Sequence, residues 1–297
     1  MKTLLWNKPA SQEPKIACLG LFDGFHQDHL KLINRLMEIK NQEQLAALFF
    51  TMSQSVTDFL HQTDTKLIYN VSKQQTAAKL GFDYYLEAPL ITEFMNLSAK
   101  QFLTILKKHY NVIKVVIGSD FRFGKNREGD FNDIITFFGQ ENVYLIPRQD
   151  NLFSSTTIRN LLLQHDLSSA NKLLYEDYHL RGEVKPGKNL GRTINFPTAN
   201  IYLLQKVILP YGVYVTETLA QGKLYSSMTS YRLFEGKEVI ETYLLDVNLD
   251  LYGQEIIVYF KKYLRQNVKI NCLAELVSLL EQDLANTLDF FTNKAYY

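Results

Sequence analysis

Apolar and polar positions along the chain follow two rhythms, and the change between them falls near residue 177. In the first rhythm, short apolar runs alternate with helical spacing. Lys15 to Leu21 is such a run, and Leu30, Ile33, Leu36 and Met37 follow at the interval of an amphipathic helix. Leu45 to Phe50 predicts another buried strand. Ala77 to Leu80 predicts the end of a helix stopped by Gly81, and Tyr84 to Leu86 a further strand. Phe102, Ile105 and Leu106 mark the next helix, with strands expected at Lys114 to Ile117 and Val143 to Ile146. Repeated strand-then-helix order argues for a parallel sheet with helices on its faces.

Beyond Asp177 glycines and prolines thicken: Gly182, Pro186, Gly187, Gly191, Pro197, Pro210 and Gly212. Alternating segments over 212–219, 224–229, 239–247 and 256–260 predict short strands at close spacing, as in a small antiparallel β-barrel. Leu273, Leu276, Val277, Leu280, Leu284 and Leu288 share one face of a closing helix. The expected organisation is an α/β domain over residues 1–177 and a β-barrel domain with a C-terminal helix over residues 178–297.

Composition narrows the partners. With 297 residues, 46% apolar and 21% charged, the chain is globular, and its net charge of +1 supplies no bulk attraction to nucleic acid or an anionic membrane. Affinity for phosphate must therefore come from local groups. Cys18 and Cys272 are far apart with no CxxC partner, which fits neither a disulfide framework nor a zinc site and points to a reducing compartment. The N-terminal apolar stretch is too short for a signal peptide, and no run approaches the ~18 residues of a membrane span. A soluble cytoplasmic protein is expected.

Two segments carry candidate chemistry. After the first strand, Gly20-Leu21-Phe22-Asp23-Gly24-Phe25-His26-Gln27-Asp28-His29 puts two imidazoles at the opening turn of a helix. Free backbone N–H groups and the helix dipole make such a turn an anion site, and histidine donors there can stabilise a leaving pyrophosphate. Taken alone, His-x-x-His is more often the signature of surface or capping histidines. Gly118-Ser119-Asp120-Phe121-Arg122-Phe123-Gly124 follows another strand end, where open parallel sheets place ligands. Ser154-Ser155-Thr156-Thr157-Ile158-Arg159 adds clustered hydroxyls and a guanidinium at a further helix start, more hydroxyls than one N-cap needs.

The second segment is Gly191-Arg192-Thr193-Ile194-Asn195-Phe196-Pro197-Thr198-Ala199-Asn200, followed by Glu241-Thr242-Tyr243-Leu244-Leu245-Asp246 and Leu251-Tyr252-Gly253. A threonine hydroxyl and an asparagine amide oxygen are hard ligands suited to magnesium that shares substrate phosphates. Gly182, Gly187 and Gly191 make a permissive loop ahead of them.

Over nearly its whole length the chain resembles the bacterial bifunctional riboflavin kinase/FMN adenylyltransferase (FAD synthetase) family. The resemblance implies a Rossmann-like nucleotidyltransferase domain followed by a kinase barrel. It implies that His26, His29, Gly24, Ser155, Thr156 and Arg159 handle ATP, and that Asp120, Phe121, Arg122 and Phe123 help form a flavin-nucleotide site. In the barrel it implies ATP binding by Gly187, Gly191 and Arg192, Mg²⁺ binding by Thr198 and Asn200, and Glu241 as the base that activates the riboflavin hydroxyl. ATP would be co-substrate, with riboflavin, FMN and FAD as substrates and products.

Five places depart from the family pattern, among them Ile270, where the family usually has a phenylalanine before the last helix. Asp28 stands where the family has glycine, and Met52-Ser53-Gln54 where it has Pro-His-Pro. Asn195 replaces a glycine, and Ser227 to Leu233 replace an Asn-Ile-Gly…Pro-Thr stretch. A carboxylate ~5 Å from a phosphate would cost about 3 kcal/mol at an effective dielectric near 20, unless the Asp28 side chain turns away. A paralogue with one activity (the kinase favoured), a non-catalytic flavin- or nucleotide-binding regulator, and another nucleotidyltransferase such as a cytidylyltransferase fit parts of the same pattern.

Overall fold

The computed structural model describes residues 1–10, 12–148, 153–187, 190–203, 205–247 and 249–294. The chain divides into two compact units, residues 1–155 and 156–297.

The first unit is a six-stranded, wholly parallel sheet with helices: β1 (Lys2–Leu4), β2 (Lys15–Leu19), α1 (Gln27–Glu43), β3 (Ala46–Met52), α2 (Val56–His61), α3 (Asn70–Lys79), β4 (Tyr84–Ala88), α4 (Thr92–Met95), α5 (Ala99–Tyr110), β5 (Val112–Gly118), α6 (Phe131–Phe138) and β6 (Val143–Ile146). Strand order is β1-β4-β3-β2-β5-β6. All five β2 residues are buried, since helices cover both faces of a central parallel strand. Two apolar clusters fill the layers on either side. One joins Leu19, Leu48, Leu86 and Ile117 to α5 and α6; the other joins Cys18, Phe49 and Val116 to α1.

Chain order reverses between β2 and β5: β3 and β4 lie on one side of β2, β5 and β6 on the other. That reversal opens a crevice at the carboxyl ends of β2 and β5, where open α/β sheets bind ligands. Both loops singled out from the first half leave these two strand ends.

In the second unit α7 (Ser155–Leu163, its first residue still in unit one) and α8 (Leu167–Leu173) precede a barrel. Its strands are β7 (His179–Lys185), β8 (Ala199–Leu203), β9 (Gly212–Ala220), β10 (Lys223–Phe234), β11 (Lys237–Leu244) and β12 (Glu255–Arg265), with the short α9 (Leu190–Thr193) between β7 and β8 and α10 (Leu273–Lys294) last. The barrel closes in the order β10-β11-β8-β7-β12-β9, every pairing antiparallel. Thr216, Thr218, Ser227, Thr229 and Thr242 are fully buried and satisfy one another, as buried hydroxyls must.

The expected fold class is the one observed, with local corrections. The Lys15 run ends as strand at Leu19, because Phe22 turns to φ 51°. The 239–247 strand stops at Leu244, and Asp246 turns at φ 56°. Strands β1, β7 and β8 had no clear alternating signal. On α10 the ends of the predicted apolar stripe, Leu273 and Leu288, are exposed, whereas Asp283 and Thr287 are buried. Arg265 on β12 reaches Asp283 through Nε at 2.9 Å and a terminal nitrogen at 2.6 Å, so a paired charge sits under the helix.

Candidate active sites

The turn from β2 into α1 is wound tightly. Phe22, Gly24 and Phe25 have φ values of 51°, 92° and 46°, and both phenylalanine rings are buried. Left-handed backbone at a residue with a Cβ costs roughly 1–2 kcal/mol, so neighbouring contacts must hold the loop. Several do. The Asp23 carboxylate, 2% exposed, accepts from the backbone N–H of Leu67 at 2.8 Å and of Ile68 at 3.3 Å. Its carbonyl accepts from the Ser155 hydroxyl at 2.8 Å. Phe22 and Phe25 pack on Phe49.

This geometry delivers His26 as the N-cap residue of α1, with its ring stacked on His29 at 3.7 Å between centroids. Neither histidine's Nδ1 has a hydrogen-bond partner. Burial pushes His26 down to about 4 from its ordinary 6.5, against the opposing charge of Asp28. Burial, then the His26 imidazole and the Lys73 and Arg148 charges, hold His29 well below the usual histidine range. Both imidazoles are therefore neutral at pH 7, desolvated and short of partners. An arriving polyphosphate would supply the opposite charge that the pair lacks.

Asp28 is buried, and its charge still bears on His26. Its Oδ1 pairs with Lys31 Nζ at 3.0 Å, one helical turn on, while Oδ2 is buried without a partner. It does not cap the helix, since His26 occupies that position. Of the Met52-Ser53-Gln54 segment, Ser53 serves the fold: its hydroxyl accepts from Leu90 N at 3.2 Å and its carbonyl from the Asn70 amide.

Across the crevice, at the end of β5, Asp120 is exposed and ion-paired with Arg148, whose N–H also reaches the Ser119 hydroxyl. The charges of Asp28, Arg148 and Asp120 all act on His26, so these four positions form one electrostatic group. Phe121 is half-buried and stacks on Phe123 at 5.6 Å; Arg122 is exposed. Phe123 itself is 7% exposed and packs on Phe102, so its ring belongs to the core beneath the loop. Ser155 opens α7, followed by exposed Thr156 and half-buried Arg159. Sequence reasoning missed Arg148, Asp23, Thr51 and Lys73, whose roles rest on contacts 22 to 52 residues distant or on charge fields.

In the barrel, strand register assembles the candidate residues. Asn200 on β8 lies directly opposite Glu241 on β11, and opposite Lys185 on β7. Directly paired residues project to the same side of a sheet. Thr242, next along β11, is buried among the interior hydroxyls, so Glu241 and Asn200 face outward. The Glu241 carboxylate accepts from Arg232 at 2.7 Å, and that guanidinium lies 4.8 Å from the centre of the Phe234 ring.

Two glycines are close-approach positions. A Cβ on Gly187 would lie 2.2 Å from the Asn200 amide nitrogen, and one on Gly191 would lie 2.1 Å from the Phe196 carbonyl oxygen. The chain from Gly191 to Asn200 is thus folded back on itself, with Phe196 N–H donating to Gly191 at 2.9 Å and Asn195 at φ 61°. Asparagine replaces glycine there at low cost because it tolerates left-handed backbone. Thr198 lines a shallow pocket with Val184, Pro197, Leu244, Asp250 and Tyr252. The Arg192 side chain lies outside the described residues.

Hard oxygen donors, a threonine hydroxyl and an amide oxygen two residues apart at the entry of β8, fit magnesium shared with phosphates. Among the described residues no group of three or more His, Cys, Asp or Glu side chains could hold a metal ion by itself.

Two family models match successive parts of the chain. A family described as FAD synthetase matches residues 8–156, and one described as riboflavin kinase matches residues 174–291. A bifunctional riboflavin kinase/FMN adenylyltransferase of Listeria monocytogenes is 31% identical over 309 aligned positions, covering 98% of this chain and 98% of the relative. The Escherichia coli K12 protein of the same description is 32% identical over 297 positions, covering 95% and 94%.

The chain belongs to this family. A crystal structure from Streptococcus pneumoniae, described as a macrolide-efflux protein, also overlays the chain end to end. Its TM-score is 0.82 at 26% identity, with 97% of this chain and 99% of that one covered. Among the described residues no helix is long and apolar enough to cross a membrane.

Proposed function

We propose that this flavin-nucleotide transferase phosphorylates riboflavin on its barrel and adenylylates FMN at the β2–β5 crevice. The observation that carries the reading is the β8–β11 pairing, which brings Asn200 and Glu241 side by side on the open face of the barrel.

In the kinase half, Glu241 accepts the proton of the ribityl 5′-hydroxyl as that oxygen attacks the γ-phosphorus of ATP. The new O–P bond forms as the bond to the ADP oxygen breaks. Arg232 pairs with the carboxylate and holds its orientation. Thr198 and Asn200 would hold Mg²⁺, which when bound offsets charge on the phosphates. The Gly187–Gly191 turn lies tight against these residues, and Arg192 is assigned to ATP on the resemblance alone.

In the adenylylation half, an FMN phosphate oxygen attacks the α-phosphorus of a second ATP and pyrophosphate leaves. His26 and His29 donate N–H groups to the phosphates, and the polyanion favours each ring's taking a proton from solvent, which balances negative charge gathering on the pyrophosphate. Gly24 lets the backbone come close, and Ser155, whose hydroxyl meets the Asp23 carbonyl, adds a phosphate donor; Thr156 and Arg159 are assigned to ATP on the resemblance alone. Asp120, Phe121 and Arg122 bound the flavin-nucleotide side, with Phe123 supporting them from below. The functional boundary is assigned at residue 177, between α8 and β7. Two free cysteines, Cys18 buried and Cys272 exposed, support a reducing, cytoplasmic setting.

The test is to incubate the purified chain with ATP, Mg²⁺ and either riboflavin or FMN and to separate the flavins by chromatography. FAD from both starts is expected. FMN as the sole product would confine activity to the barrel, and no product from either start would leave a binding protein.

A further inference from the structure

Beneath the loop after β2 lies a buried cation that no motif contains. Lys73 comes from α3, is 1% exposed, and donates from Nζ to the Leu21 carbonyl at 3.0 Å. Thr51, at the end of β3 and fully buried, donates its hydroxyl to the same carbonyl at 2.9 Å, and Lys73 reaches that hydroxyl at 3.4 Å. Two donors from two elements thus converge on one oxygen immediately before Phe22, the first left-handed residue of the loop. On the far side of Phe22, Asp23 is tied to Leu67 and Ile68.

We infer that Lys73 is a positioning residue for adenylylation: its ammonium clamps the Leu21 carbonyl and so holds the Gly20–His26 loop ready for the ATP phosphates. This rests on the reading that the loop receives ATP. A solvated surface would not need such an arrangement. A buried ammonium is costly to keep unless it does something a neutral side chain cannot. Here it makes a charge-assisted hydrogen bond, roughly twice as strong as a neutral one, to a backbone that must stay strained.

The charge is balanced narrowly. Burial lowers the Lys73 pKa to about 8 from 10.5; Asp23 in the loop and Glu87 on β4 oppose that shift, and Lys66 adds to it. The same charge bears on His29 of α1. At neutral pH the clamp is charged, and raising the pH through about 8 discharges it. FMN adenylylation should therefore lose ATP affinity on the alkaline side, while riboflavin phosphorylation does not.

The test is steady-state kinetics of both reactions on the full chain from pH 6.5 to 9.5, for the wild type, Lys73→Arg, Lys73→Met and Thr51→Val. For Lys73→Met at pH 7 the KM for ATP in adenylylation should rise about tenfold with a much smaller change in kcat, the scale of one lost charged hydrogen bond. The wild type should show a similar rise between pH 7 and 9 that Lys73→Arg, charged throughout, does not. Thr51→Val, which keeps the cation, should show a smaller rise in KM and the wild-type pH dependence. Should Lys73→Met fail to fold, the Lys73→Arg and Thr51→Val profiles decide. A flat wild-type profile, an alkaline rise retained in Lys73→Arg, or a folded Lys73→Met with wild-type KM overturns the inference. A His26→Asn chain run alongside separates the two ideas. If it adenylylates normally, the ATP-site reading falls; if it is inactive while the Lys73 variants behave as wild type, only the clamp falls.

Discussion

The two candidate sites would meet phosphate from opposite starting conditions. At the β2–β5 crevice the principal residues, His26 and His29, are neighbours in sequence, desolvated, neutral and placed by a backbone that turns left-handed at Phe22, Gly24 and Phe25. On the barrel, Asn200 and Glu241 are 41 residues apart by their numbering, partly exposed, and already ion-paired or cross-strand paired in an unstrained ladder. The first site stores its cost in conformation and burial; the second stores little and depends on register. Adenylylation should therefore respond to pH and to loop mutations, and the kinase to changes that shift strands or remove the one carboxylate.

The largest expected break in that contrast is Glu241→Gln. Removing a positioned general base should lower FMN formation from riboflavin by about 10²–10⁴-fold, with FAD formation from added FMN unchanged. A chromatographic rate assay decides it, and equal loss in both reactions would contradict separate sites. His26→Asn should do the reverse, cutting FAD formation by about 10²–10³-fold, the scale of one lost charge-stabilising donor, while phosphorylation continues.

Acid should also distinguish the halves. Folded His26 stays neutral down to about pH 4, whereas an unfolded chain takes up that proton near 6.5. Its neutral burial therefore favours the fold fully above pH 6.5, and this is lost as pH falls toward 4, by up to about 3 kcal/mol. Urea midpoints of the wild type minus those of His26→Asn should fall across this window; a constant difference would show that His26 is not buried neutral.

Smaller effects probe the barrel's backbone. Gly191→Ala places a Cβ against the Phe196 carbonyl and should cost about 1–3 kcal/mol, seen as a lowered Tm and weaker kinase activity. Asn195→Val should cost roughly 1–2 kcal/mol at its left-handed φ, and Asn195→Gly nearly nothing. A Val substitution without effect would mean that the turn relaxes freely.

Legibility in the sequence followed the range of the interactions. The β2-to-α1 turn was readable because its signal, an apolar run into helical spacing, is local; the strand expected at 224–229 covers only the first half of β10, which continues through Ser230 to Phe234 paired with β11. Strands β7 and β8 were not readable: Gly182 takes an inward position of β7 that an apolar side chain would have marked, and β8 is mostly half-exposed. Phe123 reads as a ligand-facing aromatic in a loop, yet the turn folds it under Phe121 into the core. The leucine stripe of α10 extends past its buried patch, because Arg265 draws the centre of that patch onto Asp283.

Sequence alone determined the order of an α/β part and a β-barrel part and most of their element types, and it singled out candidate residues for the chemistry, because hydrophobic period and short motifs act over a few residues. Tertiary structure decided which of those residues meet. The reversal of strand order brings Asp120 and Arg148 to His26, the β8–β11 register sets Asn200 beside Glu241, and burial makes two histidines neutral and leaves Lys73 charged at neutral pH. Register, burial and charge coupling are sums over distant neighbours, and they exist only once the chain has closed upon itself.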